Sequence, residues 1–145
     1  PEMTDATIQA LITPPPALFA VGHTHRALIR QIDQTLIVNA GAVGLPFDAN
    51  PRAAYAQITY QQNRWHAEII RLNYDIALAR QDFYDTGFMD EAGPLSKIIQ
   101  LELDISLSQL FQWTHIYMDA VLTEKISIEK AVDDYLRDPL NQPYW

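Results

Sequence analysis

Two histidines one residue apart, His23 and His25, are the part of this sequence best suited to chemistry, in the string Gly22-His23-Thr24-His25-Arg26. On a helix, side chains at i and i+2 point about 200° apart, so the pair could not share a site there. In a turn directly after a buried strand both imidazoles can face one side, and Gly22 is the residue expected to permit the bend. Neutral imidazole is a ligand for Zn, Fe, Mn and related ions, and two side by side can serve one ion each of a close pair. The spacing alone equally describes surface or core histidines. A single ion held by His23 and His25 with solvent or a second chain is another reading. The other two histidines, His66 and His115, fall within a predicted strand and a predicted helix, where structural or surface roles are expected. The absence of Cys excludes disulfides, zinc knuckles, iron–sulfur clusters and thiol nucleophiles.

The elements that must position the pair are legible in the surrounding residues. Thr4 can cap a short helix running through Leu11 and Ile12, ended by Pro14-Pro15-Pro16. The five apolar residues Ala17–Val21 predict a strand covered on both faces, and His23 and His25 follow its carboxyl end. A second strand, 27–32, turns at Asp33-Gln34 into a third over 35–38. Next comes the Gly-spaced loop Asn39-Ala40-Gly41-Ala42-Val43-Gly44-Leu45-Pro46, in which Asn39, Gly41 and Gly44, like Gly22 before it, are expected to be structural. Residues 52–60 and 65–72 read as a hairpin around Gln61-Gln62-Asn63-Arg64.

From residue 74 onward the apolar period changes from two to 3.6. Helices are predicted over 74–84, from Leu95 through Ile98, Ile99 and Glu102, and from Leu107 to Leu122. A last one is capped by Ser127 and stopped at Asp138-Pro139. Leu107, Leu110, Phe111, Thr114, Tyr117, Met118, Val121 and Leu122 are expected on one buried face. The terminal pair Tyr144-Trp145 is expected to fold back or touch a second copy. Residues 1–73 and 74–145 are the natural division, with the helical part packed on the same domain.

The chain has 145 residues, 48% of them hydrophobic and 19% charged, which excludes a disordered chain and permits a real core. Its net charge of −8 lies wholly in residues 73–145, where thirteen acids face five basic residues. Such an acidic tail repels phosphate backbones and argues against nucleic-acid binding through it. Pro14–Val21, the longest apolar stretch, is too short to span a membrane, and no leader is visible, so a cytoplasmic protein without membrane contact is expected. A start at Pro1 rather than Met suggests a piece of a longer chain.

Val21-Gly22-His23-Thr24-His25, two short strands, Asn39 to Asp48 and then Pro51-Arg52-Ala53-Ala54-Tyr55 together resemble the C-terminal part of the calcineurin-like metallophosphoesterases, closest to the small bacterial phosphodiesterase-like branch. The family's Gly-His-x-His closing motif matches throughout, and its Asn-x-Gly-Ser-Val-Gly loop matches except for Ala42 in place of Ser. The resemblance covers roughly residues 1–75 and implies a four-layer α/β sandwich, here its C-terminal portion with a helical extension. It also implies two divalent metals (Mn, Fe, Zn, Ni or Co), one bound by His23 and the other by His25. Their activated hydroxide would hydrolyse a small phosphomonoester or phosphodiester, with Arg26 attracting phosphate. The family's earlier ligand strings (Asp-x-His, Gly-Asp, Gly-Asn-His) are missing from this sequence, so the 145 residues alone are expected to be inactive. The alternative is a catalytically inactive phosphoesterase-fold scaffold or binding module. Homo-oligomer formation through the C-terminal helices is a further expectation.

Overall fold

The computed structural model describes residues 3–138. Thr4 caps the first helix, α1 (Asp5–Leu11), its hydroxyl accepting the Thr7 N–H at 3.2 Å. Asp5 occupies the first turn, where the helix dipole favours a negative charge. After the proline run come β1 (Leu18–Val21), β2 (Ala27–Ile32) and β3 (Thr35–Ala40), forming one sheet in the order β1-β3-β2. β1 runs parallel to β3 with Val21 beside Asn39, and β2 runs antiparallel to it with Leu28 on Asn39's other side.

This strand order corrects one expectation. Ala17–Val21 reads as a strand covered on both faces, yet Ala20 and Val21 are exposed, and among the described residues β1 pairs with β3 alone. Full coverage belongs instead to β3, where every residue from Thr35 to Asn39 is buried. A central strand gains neighbours on both sides, and apolar run length does not report how many neighbours a strand has.

A hairpin of β4 (Ala53–Gln61) and β5 (Arg64–Leu72) follows, in register from Ala53 opposite Leu72 to Gln61 opposite Arg64. Its two-residue turn places Gln62 and Asn63 at φ of 50° and 61°, the left-handed pair whose twist matches that of antiparallel strands. The Tyr60 and Trp65 rings meet across the strands with centroids 4.9 Å apart. Arg71 pairs with Asp48, tying the hairpin's far end to the loop that precedes it.

The chain divides into two compact units: residues up to Asp48 with Arg52–Asn73, and Ala49–Pro51 with the residues from Tyr74 on. The second unit holds α2 (Ile76–Asp85), α3 (Phe88–Glu91), α4 (Ser96–Ile105), α5 (Leu110–Leu122) and α6 (Ile128–Arg137). Asp75 caps α2 by accepting the Leu78 N–H at 2.9 Å, and Ser127 caps α6 as expected. Ile98, Trp113, Ala131, Val132 and Tyr135 form the core, with Leu110, Tyr117, Met118 and Val121 packed against it.

Phe111 and Leu122, expected inside, are 66% and 74% exposed. α5 is apolar nearly all round, so several stripes satisfy the same three-and-four rhythm, and the largest side chain, Trp113, takes the inward one. Unit two also buries a carboxylate. Glu102, 3% exposed, accepts the Gln109 and Leu110 N–H groups at 2.7 and 2.8 Å and so caps α5 from α4. The Tyr135 hydroxyl donates to Gln109 Oε1 at 2.9 Å. Burial, with the Glu102 charge next, pushes its pKa up to about 12. The expectation for Tyr144-Trp145 lies outside the described residues. Among the described residues no helix is long and apolar enough to cross a membrane.

Candidate functional site

β1 and β2 flank β3, so the connection over residues 22–26 must cross the end of β3, about 10 Å at ordinary strand spacing. Five residues can do this only through sharp turns, and those turns fall on the histidines. His23 has φ 76° and His25 φ 55°. Around His23 the Thr24 N–H donates to the Gly22 carbonyl at 3.0 Å, closing a γ-turn of the strained, positive-φ kind. Gly22 was expected to carry the bend, yet it is absent from the positive-φ residues and a Cβ there would meet nothing within 4 Å. The conformational cost therefore sits on the two side chains suited to chemistry, a pattern common at functional sites.

The crossing loop is held by the Gly-spaced loop. Asn39, 3% exposed, donates its amide protons to the Gly22 carbonyl at 3.2 Å and the Thr24 hydroxyl at 2.9 Å, while its Oδ1 accepts the Gly41 N–H at 3.0 Å. An amide nitrogen facing a carbonyl and an amide oxygen facing an N–H fix its orientation. His25 Nδ1 lies 2.7 Å from the Leu45 carbonyl, and its ring stacks on Phe47 at a centroid distance of 4.7 Å. A carbonyl only accepts, so Nδ1 carries the proton and the neutral ring keeps its lone pair on Nε2. The Phe47 N–H returns to the His25 carbonyl at 3.0 Å, and the Arg26 Nε donates to the Phe47 carbonyl at 3.0 Å. His23 is exposed, and its ring has no hydrogen-bond partner among the described residues.

The two loops also differ in how they use glycine. Gly41 has φ 85°, and a Cβ there would come within 3.3 Å of the Ala27 backbone nitrogen and 3.4 Å of the Ala54 Cβ. Gly41→Ala is expected to cost about 1–2 kcal/mol from left-handed strain, with the close contacts adding to it. Gly22→Ala should stay within about 0.5 kcal/mol of the parent. Urea denaturation of both variants checks the contrast, and Gly44, whose Cβ would also be unopposed, belongs with Gly22. At His23 the strain can be read by comparing two replacements. His23→Gly should be more stable than His23→Ala by about 1 kcal/mol, since only glycine is at ease at that φ.

His66 lies exposed on β5 opposite Thr59, and His115 lies exposed on α5 with its ring edge-on to Phe111 at 4.3 Å, so neither joins His23 and His25. Among the described residues no three His, Cys, Asp or Glu side chains group closely enough to hold a metal ion. The anchoring of His25 suits a metal ligand, whose second ring nitrogen is usually bonded to a carbonyl or carboxylate. The two imidazoles thus fit divalent transition ions as ligands, and each ion would need further donors to reach four to six. Sequence reading singled out both histidines and the Asn loop. It missed Leu45 and Phe47, whose roles run through backbone atoms and ring stacking and leave no side-chain signature.

Residues 2–63 match the calcineurin-like phosphoesterase superfamily domain. The chain is also similar to the crystal structure of a metallophosphoesterase from Sphaerobacter thermophilus, with 25% identity and a TM-score of 0.51 over 72% of this chain and 49% of that one. It thus spans about half the length of that relative. No curated protein matches. The family resemblance read from the two loops is borne out, as is a mixed α/β fold similar to a metallophosphoesterase with a helical C-terminal part.

Proposed function

We propose that this chain supplies two imidazole ligands, His23 and His25, to the divalent-metal centre of a phosphoester hydrolase, with the remaining ligands coming from outside the described residues. One observation carries the reading: the Leu45 carbonyl holds the His25 Nδ1 proton, which leaves Nε2 as a preset donor beside an unpartnered His23. The family match over residues 2–63 supports phosphoester hydrolysis as the chemistry. Divalent ions bound there would supply Lewis acidity toward a phosphoryl oxygen and acidify a water. The chain's own part is geometric. The γ-turn and the left-handed His25 set both rings at the end of the sheet, and Phe47 fixes the ring plane of His25. Arg26, its Nε committed to the Phe47 carbonyl, keeps its other guanidinium nitrogens available to a phosphate, for which a planar cation is well suited. A pair of ions rather than one, and a small phosphomonoester or phosphodiester as substrate, complete the proposal.

An inactive scaffold is the second reading, favoured by the lack of any three potential ligands grouped to hold a metal ion among the described residues. Metal analysis after Mn²⁺ loading, in the protein that carries this sequence together with the remaining ligands, separates the two. At least one equivalent, lost in His23→Ala, is the expected result; less than about one equivalent in the parent protein supports the scaffold.

A further inference from the structure

We infer that Asn39 is the positioning residue of the histidine loop: one buried amide that locks the His23 γ-turn and sets the Gly-spaced loop in register with it. Its consequence for metal binding rests on the function proposed above; its structural part does not. Asn39 occupies the central strand, between Val21 and Leu28, directly beneath the residues that cross from β1 to β2. From there its three hydrogen bonds reach both sides of the site. Two go to Gly22 and Thr24, the residues on either side of His23, and one goes to Gly41, where the loop leading to Leu45 and Phe47 begins.

A strained γ-turn at His23 needs such a brace. Left alone, a non-glycine residue at φ 76° relaxes toward negative φ, and the imidazole direction relaxes with it. The brace must also be an amide. A carboxylate in this place would still accept the Gly41 N–H but would turn an oxygen toward the Gly22 carbonyl, and an aliphatic side chain would strand three polar groups. The hydrogen bonds of Asn39 go to Gly22, Thr24 and Gly41 rather than to a histidine ring, so they act on the rings through the loop that carries them.

The test uses the protein that carries this sequence together with the remaining ligands, as parent and with Asn39→Asp, Thr24→Val and Thr24→Ser. Thr24 is exposed, so its replacements leave the core intact while removing (Val) or keeping (Ser) one anchor of the brace. Three readouts apply: exchange of the Thr24 and Gly41 amide protons, the imidazole nitrogen shifts that report the His25 tautomer, and the Kd for Mn²⁺ alone. Thermal unfolding accompanies each. Asn39→Asp is expected to speed Thr24 amide exchange at least about tenfold, to mix the His25 tautomers and to weaken Mn²⁺ about 10–100-fold, the usual loss when a supporting partner of a ligand is removed. Thr24→Val should lie between Asn39→Asp and the parent, and Thr24→Ser near the parent. Unchanged exchange in both Asn39→Asp and Thr24→Val overturns the inference. So does a pattern in which Thr24→Val is silent and Asn39→Asp loses only global stability, since that marks a core residue without a brace. If the parent chain binds no Mn²⁺, the metal reading fails, while amide exchange and tautomer still decide the brace.

Discussion

His25→Ala is expected to lower Mn²⁺-dependent hydrolysis of bis-p-nitrophenyl phosphate by more than about a hundredfold, a larger loss than removing a supporting partner produces. The reason lies in how the ring is held. The Leu45 carbonyl at 2.7 Å fixes the tautomer and Phe47 at 4.7 Å fixes the plane, so the Nε2 lone pair is preset before any ligand arrives. His25→Gln offers a side-chain donor without that tautomer lock and should recover little. The assay is run in the protein that carries this sequence together with the remaining ligands. Full activity with unchanged metal content in His25→Ala would remove His25 from the centre. Thermal unfolding must accompany it, since loss of the stack on Phe47 could loosen the Gly-spaced loop, and a variant with intact unfolding and lost activity is the expected result.

The second large effect concerns stability. Glu102→Ala is expected to destabilise the helical unit by about 3 kcal/mol, because it strands the Gln109 and Leu110 N–H groups in a buried position and leaves a cavity. Glu102→Gln keeps one acceptor oxygen and should cost about 1 kcal/mol. The carboxylate at the N-terminus of α5 also faces the positive end of the helix dipole, so the charged form has an advantage the amide lacks. Tyr135→Phe, which removes only the hydroxyl bonded to Gln109, should cost about 1 kcal/mol as well. Urea denaturation followed by tryptophan fluorescence, to which Trp113 in the same core contributes, measures all three. Equal stability of Glu102→Ala and the parent would show that α5 needs no cap from α4.

Much of this was legible in the residues because its causes are local. Thr4 and Ser127 cap their helices through the hydroxyl-to-backbone bonds their side chains favour. The hairpin turn falls on Gln62-Asn63, inside the four residues that signal it. The strong one-sidedness of α6 places Ala131, Val132 and Tyr135 inward as its spacing requires. The histidine pair and the Asn loop stand out as strings, and a string is enough to mark which residue types a site needs.

The elements, their caps and the two loops of the candidate site can be read from the residues alone, since these depend on positions close together in the chain. It took the assembled fold to show that β3 is the central strand and that Trp113 rather than Phe111 faces inward. The fold likewise put the strain on His23 and His25 instead of Gly22, and brought Asn39 and Leu45 onto a loop some fifteen to twenty residues earlier. Strand order and long-range hydrogen bonds arise when distant segments compete for the same neighbours. That competition leaves no periodicity in the chain, and it settles only when the whole sheet is assembled.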